Sequence, residues 1–422
     1  MSRKSPIPIL LLILLLSLSL SAQPVKEIDW QKEIGGLGRE LASRHVDLFF
    51  SSDSTTFFTA LDRIAGESSG KSVLQVSVNL QQVVAGMGDA NTLINYHFNI
   101  DNQLILPLEC YWFEEGLHIL RARKDYAELL GKKIIAINQH PLQQVVDSLS
   151  TLITDRNPSQ VKNDIPRMIT WTQLLYTFGF ADTSHLELLV EDPWEKRLSC
   201  EIKLPARESE MVRMGPDSLP LGWQDMKAFF WDRYIPEEKI YFIQYNKCWS
   251  REAEESFGSG ASALFMPSFR EFEKKVIQTI RNEEIDKMVL DLRFNAGGSS
   301  FQGTRLIKKL GRTTLARNGK VYLVVGRKTS SSAIINAVDL MNTFQVVIVG
   351  ENTGGKPNHF GEAKRFVMTR SNIIVNYSTK YFHLTEEDPP AIVPDIQTPV
   401  TFTDFMNGTD PAFEAIRNHS QE

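Results

Sequence analysis

A chain of 422 residues with 42% hydrophobic and 23% charged content is globular and too long for one ordinary core. Its formal net charge of -5 leaves no basic footprint, which argues against nucleic acid as a partner. The three cysteines, Cys110, Cys200 and Cys248, are too few for a disulfide scaffold and fit no metal-ligand spacing. Buried structural thiols are the expectation, with one bridge and one free thiol as the alternative.

Residues 1–22 read as a secretory signal peptide. Arg3 and Lys4 form a charged start, Ile9–Leu16 is an unbroken apolar run, and Ser21-Ala22 offers small residues for cleavage. That apolar core is short for a membrane span, and no later stretch is long enough to be one. The mature chain is therefore expected to be exported, periplasmic or secreted, with no membrane span.

Residues 23–100 form a helical N-terminal region by their periodicity. Ile34, Leu37 and Leu41 fall on one face of Trp30–Phe50, and Thr56–Ile64 and Val73–Ala85 continue the pattern. A β-rich region follows over 101–205, with strands in Leu104–Leu108, Cys110–Phe113 and Gly116–Leu120, and again in Gly131–Asn138, His185–Val190 and Ser199–Leu204. Tyr126–Leu130 and Leu142–Leu149 read as helices. The polar stretch 206–236, with Pro216 and Pro220, is the candidate linker. The α/β segment then occupies 237–422.

Three polar features of that segment fall where strands end. Met288–Arg293 is a buried-type strand that runs into Asn295-Ala296-Gly297-Gly298 and then into helix Phe301–Leu310. Adjacent glycines there let backbone N–H groups face a crevice without obstruction. Strand Val321–Gly326 feeds Thr329-Ser330-Ser331-Ser332, followed by a nearly all-apolar helix. A serine at a helix start is an ordinary cap, and it is also where an oxyanion gains most from the next N–H and the helix dipole. Strand Phe344–Gly350 leads to Thr353-Gly354-Gly355-Lys356. In an open α/β sheet ligands bind beyond the strand carboxyl ends, so a serine, a lysine and a glycine turn converging there suggest a nucleophile, a base and an oxyanion hole. To act as a base near neutral pH, a lysine must fall from about 10.4 to about 7–8, which needs a desolvated pocket.

These motifs resemble those of the C-terminal processing (tail-specific) serine peptidases, which include the tricorn core and share a ClpP/crotonase-like fold. The resemblance rests on Asp291-Leu292-Arg293, Asn295-Ala296-Gly297-Gly298, Ser331-Ser332-Ala333 and Gly350-Glu351-Asn352-Thr353-Gly354-Gly355-Lys356. It covers roughly residues 240–400 most strongly. It implies Ser331 as nucleophile and Lys356, twenty-five residues on, as general base. It further implies an oxyanion hole from the N–H groups of Ser332 and of Gly297 or Gly298, a peptide or protein substrate, and no metal or cofactor. Residues 104–150 resemble the PDZ-like module of such peptidases, which captures an extended peptide by strand addition.

The pattern also departs from the family. Lys356 is followed by Pro357-Asn358-His359-Phe360-Gly361-Glu362, which makes His359 a rival base and Glu362 a candidate orienting carboxylate. Gly88-Asp89-Ala90-Asn91-Thr92 resembles a family turn that often has His where Asn91 sits. Gly66-Glu67-Ser68-Ser69-Gly70 fits a nucleophile-elbow pattern but follows a helix rather than a strand, so it is set aside. The reading is thus an α/β protein, a ClpP/crotonase-like catalytic domain with a PDZ-like β-rich module and a helical N-terminal region, acting as an exported serine endopeptidase. The alternatives are a non-catalytic ligand- or peptide-binding protein on the same fold, or an esterase.

Overall fold

Residues 28–154, 157–182, 185–205, 209–313, 315 and 320–419 are described by a computed structural model. Residues 1–22, expected from the sequence to be a signal peptide, lie outside them. The α/β part is a six-stranded sheet in the order Ile396–Gln397, Val346–Gly350, Lys320–Val325, Lys287–Asp291, Ile240–Tyr245, Phe230–Ile235. Neighbouring strands pair in parallel except at the edge, where Phe230–Ile235 runs antiparallel to Ile240–Tyr245. Parallel strands covered on both faces read as continuous apolar runs, and Ile240–Tyr245 is buried at every position.

One face of this sheet buries Tyr241, Ile243, Leu290 and Leu323 under the helices Phe269–Asn282, Phe301–Leu310 and Ser332–Thr343. The opposite face buries Ile240, Phe242, Val289 and Val324 under Phe413 and Ile416 of the helix Pro411–Asn418. The crossovers bring three turns, 292–300, 326–331 and 351–358, to the same end of the sheet, as the strand-end pattern predicts.

The β-rich part is an antiparallel sheet in the order Leu108–Phe113, Gly116–Arg123, Lys133–Ile137, His185–Glu191, Arg197–Lys203. Its strand His185–Glu191 alternates buried and more exposed positions, as expected of a sheet with one covered face. Helices Leu142–Leu149 and Pro158–Met168 cover it, contributing Val145, Leu149 and Ile165 to the core.

The stretch 206–236 does more than link. Met211–Arg213 pairs with Gly116–Arg123, and Phe230–Ile235 is the edge strand of the α/β sheet. Trp223, between them, is buried. Proline content marked the stretch as a linker because short strands leave almost no periodic signal.

In the N-terminal region, helices Trp30–Arg44, Ser54–Gly66 and Val73–Ala85 start at Asp29, Asp53 and Ser72, whose side chains accept backbone N–H bonds. Their shared core includes Ile34, Leu37, Leu41, Phe57, Leu61 and Leu80, and also Met368, Ile373 and Val375 from the far end of the chain. Those three belong to a hairpin, Lys364–Val367 with Ile374–Tyr377, which pairs with the short strand Leu93–Ile94. The helical region and the α/β segment are therefore knitted together by one three-stranded sheet. No helix among the described residues is long and apolar enough to cross a membrane. The three cysteines are all free, and burial pushes the Cys110 and Cys248 thiols up to about 12 and the Cys200 thiol up to about 11.

Candidate active site

Ser331 stands immediately before the helix Ser332–Thr343 with φ 52° and ψ −125°. This is a conformation that side-chain-bearing residues rarely adopt, at a cost of order 1–3 kcal/mol. It sits in a tight turn, closed by the Ala333 N–H donating to the Ser330 carbonyl at 3.1 Å. Such a strained strand-to-helix turn presents the hydroxyl outward. The serine makes no side-chain capping bond to its helix.

The turn is tied to its neighbours on both sides. The Ser330 N–H donates to the Asn295 carbonyl at 3.2 Å, and the Gly355 N–H donates to the Thr329 carbonyl at 3.0 Å. The Thr329 hydroxyl donates to the Leu292 carbonyl at 2.8 Å. Three loops are thus held as one unit by backbone groups of the serine loop and the Thr329 hydroxyl.

Asn295 is fully buried and organises the glycine turn. Its Nδ2 donates to the Tyr245 carbonyl at 2.7 Å, and its Oδ1 accepts the Gly297 N–H at 2.9 Å. Gly297 has φ +100°, and a Cβ placed on it would meet the Ser331 Cβ at 2.8 Å and the Ser332 nitrogen at 3.0 Å. Gly298 has φ +134°, and a Cβ there would come within 2.3 Å of the Cys248 carbonyl oxygen. Neither position accepts a side chain, which is why two glycines stand here.

The sequence leads to the N–H of Ser332 and that of Gly297 or Gly298 as oxyanion-hole donors, and Gly297 is already engaged by Asn295. The N–H groups of Gly298 and Ser332 have no acceptor among the described residues. The Ser332 hydroxyl donates to the Gly298 carbonyl at 2.7 Å, which joins the glycine turn to the helix start. Of the two glycines named from the sequence, Gly298 is the one whose N–H is free. The side chain of Asn295 is what sequence reasoning missed, although an Asn two residues before a glycine is a recognised turn former.

Ser331, Lys356 and His359 line one cavity of about 410 Å³, together with Asn91, Gln160 and Asp388 among others. Lys356 is part-exposed, and its Nζ lies 3.5 Å from Asp388 Oδ2. His359 is buried, its Nδ1 lies 2.8 Å from the Pro357 carbonyl, and its Nε2 has no partner. A ring nitrogen facing a carbonyl must carry the proton, so Nε2 holds the lone pair. Burial depresses the imidazole below its ordinary value of 6.5, outweighing the lift from the Pro357 carbonyl.

Glu362 does not orient His359. Its carboxylate pairs with Lys380 at 3.0 Å on an exposed stretch of surface, and the nitrogen it would hold is taken by Pro357. In a strand, side chains alternate faces, and Glu362 falls just past His359–Gly361 on a backbone with φ 52°.

The turn 88–92 closes another side of the cavity. Asp89 and His45 form a buried pair at 3.0 Å, and the His45 Nδ1 accepts the Asp47 N–H at 3.0 Å. Asn91 donates through Nδ2 to the Phe360 carbonyl at 2.7 Å, so it holds the strand that carries His359. Ser68 is buried and donates to the Ile64 carbonyl at 2.7 Å, as a residue just past a helix end does.

No family model matches the sequence, and no curated protein does. Among solved structures, the chain is similar in fold to mature CPAF complexed with lactacystin, at TM-score 0.66 and 12% identity over 92% of this chain and 97% of that one. It is likewise similar to mature CPAF, at TM-score 0.63 and 12% identity over 92% and 96%. The likeness to the photosystem II D1 C-terminal processing protease has a TM-score of 0.39 at 12% identity, over 92% of this chain and 99% of that one. The chain carries the fold of the two CPAF structures along nearly its whole length.

Proposed function

We propose that the chain is an exported serine peptidase of the C-terminal processing class, with Ser331 as its nucleophile and the β-rich region as a PDZ-like peptide-capturing module. The observation that carries the reading is Ser331 itself, held at positive φ beside the unengaged N–H groups of Ser332 and Gly298. The fold shared with CPAF supports the class. In the proposed reaction the Ser331 Oγ attacks the peptide carbonyl while its proton passes to a base. The carbonyl oxygen becomes an oxyanion between the two free donors. Collapse breaks the C–N bond, the amine leaves with the proton, and water then hydrolyses the ester with the same base assisting.

For the base, the sequence motifs point to Lys356. Its ion pair with Asp388 and its part-exposed position count against it, since a lysine base needs a desolvated pocket. The buried free lone pair on His359 supports the histidine instead. A second reading, a non-catalytic binder, is favoured by one observation: Asn91 occupies the place where the resembling turn often has His.

A fluorophosphonate probe tests the proposal. Wild-type protein should label and Ser331→Ala should not. Folded wild type that fails to label, with casein-like substrates left intact, would overturn the enzyme in favour of the binder. Labelling with turnover of short esters but not of peptides would favour an esterase.

A further inference from the structure

The segment that carries Lys356 and His359 also fixes an arm of chain at the edge of the serine cavity. Asn358 is only 2% exposed. Its Nδ2 donates to the Thr385 and Glu387 carbonyls, each at 3.0 Å, and its Oδ1 accepts the Leu384 and Thr385 N–H groups at 2.8 and 3.1 Å. Thr353 holds the far end of the arm. Its N–H donates to the Ile392 carbonyl at 3.2 Å, and its hydroxyl oxygen accepts the Ile392 N–H at 2.8 Å. Between these anchors stand Asp388, Pro389 and Pro390. Successive prolines fix their own φ and disfavour the helical region for the residue before them. These anchors use the backbone of the arm, not the Asp388 carboxylate, which is left to face the cavity.

Asp388 and Lys356 line that cavity together with Ser331. Their separation of 3.5 Å exceeds the about 2.8 Å of a charge-assisted hydrogen bond, and both side chains are part-exposed, so the pair is weak. Among the described residues of the wall, the charged groups are Asp89, Asp388 and Lys356, two carboxylates against one ammonium. Asp89 is buried and bonded to His45, Thr92 and the Asn91 N–H, so it adds negative potential without offering an oxygen. Glu386 and Glu387, exposed on the same arm, add more.

The positive elements near the cavity are already engaged. The helix Pro158–Met168 starts at its wall, but the Asn157 side chain accepts the Ser159 and Gln160 N–H groups. The free N–H groups of Ser332 and Gly298 are those assigned to the oxyanion. No Val, Leu, Ile or Met is among the described residues of the wall, so a large aliphatic side chain finds little to pack on. At about 410 Å³ the space is within the about 300–1,000 Å³ of ligand sites. A long cationic side chain suits it, with methylenes along Phe360 and Pro390 and its charge at the carboxylate.

On the reading of Ser331 as nucleophile, we propose that the substrates are basic peptides, with a lysine or arginine near the scissile bond whose cation binds Asp388. Lys356, part-exposed on a flexible stem, turns toward water as the substrate cation arrives. Asp388 then sets specificity and takes no part in the bond-breaking step.

Steady-state cleavage of internally quenched alanine octapeptides decides this. Each carries one lysine, norleucine or glutamate, moved through every position, with the cut mapped by mass spectrometry. At the best position lysine should exceed norleucine at least about ten-fold in kcat/KM, as one charge-assisted bond supplies, with glutamate lowest. Asp388→Asn should erase the gap between lysine and norleucine while norleucine peptides are cut within about two-fold of the wild-type rate. Asp388→Lys should put glutamate first. Fluorophosphonate labelling is measured on the same samples, because it reports Ser331 with no peptide side chain in the cavity. Wild type that labels but cuts lysine peptides no faster than norleucine ones overturns the basic substrate and leaves the peptidase standing, and so does a lysine preference that survives Asp388→Asn. Wild type that does not label overturns both.

Discussion

Gly297 stands against Ser331 so closely that one methyl group on it would press within 2.8 Å of the serine Cβ. The nucleophile candidate thus leans on a backbone, not on a side chain, and its strained φ is held from outside. Gly297→Ala would force a residue into positive φ, at about 1–2 kcal/mol, and would push Ser331 out of its turn. We expect a folded protein whose fluorophosphonate labelling is slowed at least about ten-fold. Labelling at the wild-type rate would mean the contact does not position Ser331.

The base assignment predicts a pH profile. His359 sits below 6.5 because burial disfavours its charged form. A base works unprotonated, so the labelling rate should stay level as pH falls through 6.5 and drop only below it. The same shift acts on stability: the neutral ring contributes above the unfolded value near 6.5, and this contribution is lost as pH falls through the lower folded value. His359→Gln should cost about 10²-fold or more in rate and Lys356→Met less than about ten-fold. The opposite ranking would return the role to Lys356.

Asp89 gives a prediction of opposite chemistry. Burial raises its carboxyl, but bonds from His45, Thr92 and the Asn91 N–H outweigh this and leave it below 3.8. Its stabilising contribution is present above the unfolded value and is lost as pH falls through the depressed one. Asp89→Asn should therefore lower the unfolding free energy at pH 7, with the gap to wild type closing as pH falls below 3.8. Urea titrations at two pH values measure this, and a gap independent of pH would show that the carboxylate charge is irrelevant.

Arg293 bridges Asp291 and Asp410 with all three side chains at most 9% exposed. Removing one partner of a buried ion cluster typically costs about 3–5 kcal/mol. Asp410 also accepts the Gly222 N–H at 3.1 Å and caps the helix Pro411–Asn418. Asp410→Ala should fall in that range by urea unfolding, and a loss within about 0.5 kcal/mol of wild type would contradict the bridge.

Local signals were legible where a single element carried them. Val73–Ala85, Leu142–Leu149 and Phe301–Leu310 are read from periodicity with the bounds the structure gives. Ser331, Lys356 and His359 were placed at one crevice because all three follow buried parallel strands, and they do line one cavity. What failed was tertiary. Nothing near Asp410 announces Arg293, which lies 117 residues earlier, and strands as short as Met211–Arg213 carry too few residues to show a period. Glu362 was chosen by proximity in sequence to His359, whereas the ring is held by Pro357.

The hairpin at 364–377 has a consequence for the order of synthesis. The Asn95 N–H finds its acceptor at Ile374, 279 residues later, and the first three helices complete their core only with Met368, Ile373 and Val375. A chain emerging from the ribosome exposes those apolar helix faces until nearly all of it has been made. Asn91, which holds the strand of His359, waits on the same event. A nascent or prematurely released chain therefore lacks a finished crevice, and whatever chemistry Ser331 performs is withheld until translation is almost over.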